Sequence, residues 1–186
     1  VDFAHSEESG QPRWSRIARW MREAAEGLRA AYAHKIVHRD IKPANMMLTG
    51  KDSLKIVDFG LAKPLFEDSF RTATGTILGT PRYMSPEQGR GLSLDHRSDM
   101  YSLGCSFYHL ICGQPPFEAD TSMALMLKHI QAPVPPLYVA RPDCPGDLAG
   151  VITRLLAKEP NGRYEDYDAL IADLRQVEMA RQAKEL

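Results

Sequence analysis

From position 14 the apolar residues Trp14, Ile17, Ala18, Met21, Ala24, Ala25, Leu28, Ala31 and Tyr32 recur at helical spacing. The pattern predicts a long amphipathic helix ending near His34. Before it, residues 1–12 are polar and carry Gly10 and Pro12, which reads as an irregular lead-in. Met46-Met47-Leu48 and Leu54 to Val57, separated by Thr49-Gly50-Lys51-Asp52, predict two short strands joined by a turn. Residues 58–91 are rich in Gly, Thr, Ser and Pro without a sustained period, so a long loop, functional or disordered, is expected there. Met100, Leu103, Gly104, Phe107, Leu110 and Ile111 then mark a helix stopped by Gly113. Cys105 and Cys112 fall between those positions, so this helix is apolar nearly all round and should be central to the core. Further helices are expected over 121–131, around Leu148, Val151, Ile152, Leu155 and Leu156, and around Leu170, Ile171, Leu174 and Val177, with a proline-rich connection up to Pro145. There is no internal repeat. The fold class is α+β, mainly helical, with a small β element and one very long loop.

Composition narrows the function without choosing it. Charged residues make up 25% of 186, hydrophobic ones 44%, and the formal net charge is −1. With no polybasic bias, nucleic acid is not an expected partner. Cys105, Cys112 and Cys144 lack CxxC spacing and read as reduced thiols, which points to a cytoplasmic setting and away from zinc or a secreted disulfide fold. No apolar run is long enough to span a bilayer, so no membrane contact is expected within this segment, although an anchor could lie outside it. The chain opens on Val1, which suggests a piece of a longer protein.

The chemistry is concentrated in "IVHRDIKPAN", residues 36–45, where polar and charged groups are framed by apolar runs. A loop held against a core must satisfy its polar groups internally or on a ligand. A second acidic motif, Asp58-Phe59-Gly60, follows the strand at Val57. HRDIKPAN resembles the catalytic loop of protein kinases, and DFG resembles their metal-binding motif. Three later stretches resemble the family in the same order. "GTPRYMSPE" is similar to the end of an activation segment, "DMYSLG" to the start of the central helix, and "KEPNGR" to the stretch near the end of the domain.

The resemblance implies a eukaryotic-type Ser/Thr kinase of bacterial style, with ATP as phosphoryl donor, Mg²⁺ (or Mn²⁺) as cation and a protein Ser/Thr hydroxyl as acceptor. It makes Asp40 the base, places Lys42 beside the γ-phosphate, and gives the metal to Asn45 and Asp58. Met47, a core residue by its apolar setting, would also lie beneath the adenine ring. Arg39 would dock a phosphate on Thr72 or Thr74, and Thr80 would contact Asp40 and Lys42. Structural roles fall to His38 packing against Phe59, a core aromatic, and to Asp99 holding the catalytic loop. Glu87 would form a buried ion pair with Arg163. His5, His34, His96, His109 and His129 are dispersed and receive no role.

On this resemblance residues 13–178 are a kinase C-lobe, with the catalytic loop at 38–45, the activation segment at 58–87 and a helical tail at 179–186. No G-x-G-x-x-G occurs, and the only lysine ahead of the catalytic loop is Lys35. The N-lobe is therefore expected to be absent from this chain and to be its partner in the parent protein. Alone, the chain should transfer phosphate poorly or not at all, because the nucleotide would face water. Two alternatives stand beside this reading: a binding or scaffold module without an N-lobe, and a small-molecule phosphotransferase.

Overall fold

A computed structural model describes residues 14–59, 63–64 and 81–185. The expected lead-in at 1–12 lies outside the described residues, as do Gly60, Thr72, Thr74 and Thr80.

The first apolar stripe folds as α1 (Trp14–Ala33), burying Ile17, Ala18, Trp20, Met21, Ala24, Ala25 and Leu28. These side chains pack along the last helix, α7 (Tyr167–Glu185), which contributes Leu170, Ile171, Leu174 and Val177. Polar pairs along the seam show that the two helices run antiparallel. Arg29 meets Asp168 at 2.5 Å, Arg22 meets Glu178 at 2.8 Å, and Ser15 meets Glu185. Helix α7 continues unbroken past residue 178.

Between α1 and the central helix lie two small ribbons. Strand β1 (Ile36–Val37) pairs antiparallel with β4 (Lys63–Pro64), and β2 (Met46–Leu48) pairs antiparallel with β3 (Leu54–Ile56). The second ribbon is the expected hairpin, and α1 holds its turn. Asp52 accepts from Arg16 at 2.7 Å and from Arg19, its carbonyl accepts from Trp20 Nε1 at 3.1 Å, and Glu23 accepts from the Leu54 amide at 2.6 Å.

The stretch expected to be one long loop contains two regular elements among its described residues, β4 and the one-turn helix α2 (Pro86–Gly89). Ser85 and Gln88 build a reciprocal capping box that starts α2 at a proline.

The central helix α3 (His96–Cys112) begins four residues earlier than its apolar period suggested, because Asp95 caps it by accepting from the Arg97 amide. It ends at Gly113, whose φ of 76° is the left-handed stop that glycine adopts readily. Met100, Tyr101, Leu103, Cys105 and Phe107 on it are buried. Helices α4 (Ser122–Gln131) and α6 (Gly146–Leu155) follow the expected periods. The proline-rich connection adds a short helix, α5 (Leu137–Ala140).

Candidate active site

Residues 38–45 rest on α3. Asp99, on the first turns of that helix and 2% exposed, accepts from the His38 amide at 2.7 Å and from the Arg39 amide at 2.8 Å. Burial pushes its carboxyl up to about 7, and the two amide donors oppose that rise. Arg39 sits at φ 70°, a conformation costly for a side-chain-bearing residue, held from one side by Asp99 and from the other by Gln88 Nε2, which donates to the Arg39 carbonyl at 3.0 Å. Below the loop, Ile41 is buried in the core, with its carbonyl 3.4 Å from Ser106 Oγ of α3.

Three polar side chains converge above this support. Lys42 Nζ donates to Asp40 Oδ2 at 2.6 Å. Asn45 Nδ2 donates to the Asp40 carbonyl at 2.8 Å and to Oδ2 at 3.3 Å. The cation and the amide therefore fix one carboxylate oxygen and the backbone of the same residue, leaving Oδ1 without a partner among the described residues. Such a carboxylate is oriented to accept a proton from a hydroxyl placed against it.

The hairpin delivers the second acid. The Val57 amide donates to the Asn45 carbonyl at 2.9 Å, extending the β2–β3 ladder by one step, so Asp58 leaves the sheet directly after the residue paired with Asn45. Asp58 lies at φ 62° and is exposed. His38 closes the back of the site. Its Nδ1 accepts from the Asp40 amide at 3.3 Å, so its Nε2 carries the proton donated to the Val57 carbonyl at 3.3 Å. Burial lowers its basicity and keeps this neutral form. Its ring lies 4.6 Å from that of Phe59.

Two residues differ from the core placement read from their apolar character. Met47 is 56% exposed, because β2 alternates and its neighbours Met46 and Leu48 take the core-facing side. Phe59 is 41% exposed, since His38 covers only one side of its ring.

Glu87 and Arg163 form a buried bidentate pair at 2.6 and 2.9 Å, and Ser98 Oγ adds a third bond to the carboxylate at 2.7 Å. The remaining guanidinium donors reach the carbonyls of Ala157, Arg97 and Lys158, so all five are used. This pair fixes α2, and Gln88 of α2 reaches Arg39. Sequence reading passed over Gln88, although Ser85-x-x-Gln88 carries the capping-box signature. It also left out His109, whose Nδ1 lies 2.7 Å from the Tyr83 hydroxyl. No local pattern announces that contact.

Comparison of the sequence with known proteins finds protein kinases. The family model described as "Protein kinase domain" matches residues 3–173. The chain is 38% identical over 178 residues to serine/threonine-protein kinase PknB of Mycolicibacterium smegmatis, covering 95% of this chain and 28% of that protein. It is 39% identical over 171 residues to a probable serine/threonine-protein kinase of Clostridium acetobutylicum, covering 91% of this chain and 26% of that one. A probable PknB of Lactococcus lactis is 37% identical over 152 residues, covering 82% of this chain and 24% of the relative. The chain thus spans about a quarter of the length of these curated relatives.

Proposed function

The chain belongs to the protein kinase family, and from that premise we propose that it carries the phosphoryl-transfer residues of a bacterial serine/threonine kinase. Asp40 is the base for a Ser or Thr hydroxyl of a protein substrate. Lys42, already 2.6 Å from Asp40, is the cation that reaches the γ-phosphate of ATP. The observation that carries the reading is the double hold on Asp40, by Lys42 and Asn45 at the side chain and by Asp99 at the two residues before it.

A hard cation fits the residues present. Asn45 spends its amide nitrogen on Asp40, which turns its oxygen to other use, and Asp58 adds an exposed carboxylate at the end of the paired strand. No group of three His, Cys, Asp or Glu gathers among the described residues, so the remaining ligands would be phosphate oxygens and water. Mg²⁺ or Mn²⁺ held there would neutralise phosphate charge. Met47, exposed beside this pair, offers an apolar surface for the adenine. Arg39 Nε is buried without a partner among the described residues, which supports a docking role toward a phosphate on Thr72 or Thr74.

The whole protein's activity is tested with peptide and small-molecule acceptors on the full-length enzyme. Transfer to serine or threonine peptides, lost in Asp40→Asn, is the expected result. Transfer confined to small molecules would replace the reading with a small-molecule phosphotransferase. Nucleotide-independent partner binding with no transfer would favour the binding-module alternative. The isolated chain, with Met47 and Phe59 open to water, is expected to transfer phosphate poorly.

A further inference from the structure

Residues 81–84 lead into the rigid, capped start of α2, and they carry a tie to the central helix that the chemistry above does not use. The Tyr83 hydroxyl lies 2.7 Å from His109 Nδ1, and the two rings stack with centroids 5.9 Å apart and planes 15° from parallel. The roles in this bond follow from the surroundings. Burial raises Tyr83 above its ordinary pKa, so it keeps its proton and donates. Burial and the neighbouring Arg82 hold His109 below its ordinary value, with Glu118 opposing, so the ring stays neutral and accepts at Nδ1.

We propose that Tyr83 and His109 form a pH-sensitive latch that positions the acceptor-binding segment 81–84 against α3, with His109 as a positioning residue that does not itself touch substrate. The proposal rests on the kinase reading, in which "GTPRYMSPE" ends the activation segment and Thr80, just before residues 81–84, contacts Asp40 and Lys42, so that an acceptor held at Asp40 meets this segment. Protonation of His109 turns Nδ1 from acceptor to donor. The bond must then reverse, with the Tyr83 oxygen accepting from Nδ1–H, and the ring carries a charge that Arg82 disfavours and only Glu118 offsets, so the tie is weakened. The segment should loosen and acceptor binding should weaken, while the groups around Asp40 stay in place.

The test uses the full-length protein and a serine- or threonine-containing peptide, across about pH 5.5 to 8. In the native protein the peptide KM should rise on acidification, with its midpoint below the ordinary histidine value of about 6.5, while the KM for ATP stays level. Tyr83→Phe should raise the peptide KM at neutral pH on the order of threefold to tenfold, the loss of one hydrogen bond, and flatten the pH dependence. His109→Gln, which still accepts from Tyr83 but does not titrate, should restore near-native KM and remain flat. A native KM and pH profile in Tyr83→Phe would overturn the proposal. Independently of turnover, ¹⁵N titration of the His109 ring should move upward in Tyr83→Phe, and an unmoved titration would equally overturn it. Should that titration move while no peptide is phosphorylated at any pH, the latch stands and the kinase reading fails.

Discussion

Arg163 and Glu87, 76 residues apart in the chain, meet in a bidentate pair that is almost fully closed to solvent. Burial raises the Glu87 carboxyl, but the Arg163 guanidinium and Ser98 outweigh it, and the net shift is downward. Removing one partner strands a charge that cannot be rehydrated. Glu87→Ala should therefore cost about 3–5 kcal/mol, read as a lower urea midpoint. Unchanged urea stability would mean that the pair does not hold α2 to the body.

The pair was legible from two short motifs, and so was most of the site, because its groups lie within ten consecutive residues and one strand end. Helices α3, α4 and α6 were legible too, since each carries its own apolar period. The losses share a physical cause. Strands β1 and β4 are two residues each, too short for any alternation to register. Whether Met47 and Phe59 are core depends on what covers them, and their apolar character cannot reveal that. The bridge from Gln88 to Arg39 and the contact between Tyr83 and His109 join distant segments with single polar atoms, which leave no periodic trace.

Asp99 offers a direct check on how residues 38–45 are held. Both of its carboxylate oxygens accept from backbone amides, of His38 and Arg39. Asp99→Asn keeps one acceptor and turns a second donor toward the other amide. The loop should lose about 1–3 kcal/mol of support, the cost of an unsatisfied buried donor. Hydrogen exchange at the His38 and Arg39 amides should accelerate, while amides in the middle of α7 should be little changed. Equal protection at both sites in the variant would show that Asp99 is not the anchor.

Helix packing gives a second, independent test. A methyl group on Gly104 would sit 2.8 Å from Leu155 Cβ and 3.3 Å from two carbons of Leu156, on the face where α3 crosses α6. Leu155 Cβ is fixed to its helix and cannot rotate aside. Gly104→Ala should therefore destabilise by about 1–3 kcal/mol, as overpacking does, despite alanine's better helix propensity. Gly89→Ala meets Met126 Cγ at 2.9 Å, a flexible chain that can swing away, so its cost should be clearly smaller. Urea midpoints of the two variants in the opposite order would overturn this account of the α3–α6 contact.

His129 sets a pH dependence whose sign can be worked out. Its ring is fully buried between Phe117 and Tyr101, at centroid distances of 5.0 and 5.8 Å, and its Nδ1 lies 3.1 Å from the Tyr101 hydroxyl. Burial lowers it to about 4, Lys158 adds to the lowering, and the backbone at Arg82 opposes without a well-formed bond to Nε2. Below the ordinary histidine value of 6.5 the unfolded chain takes up a proton that the folded chain refuses. Stability from the neutral ring is thus present above about 6.5 and lost as pH falls toward about 4, by at most roughly 3 kcal/mol. Asp99 works against it over nearly the same window. Raised from 3.8 to about 7, it is protonated in the folded state before the unfolded one, and so favours folding as pH falls. Lys158, lowered to about 8, is charged in both states across this range and drops out. The wild-type curve alone therefore does not isolate His129, but its difference from His129→Gln does, since glutamine can keep the Tyr101 contact and cannot titrate. In urea melts from neutral pH to about 4, the native protein should lose stability relative to the variant as pH falls. Parallel curves would show that His129 is not held neutral.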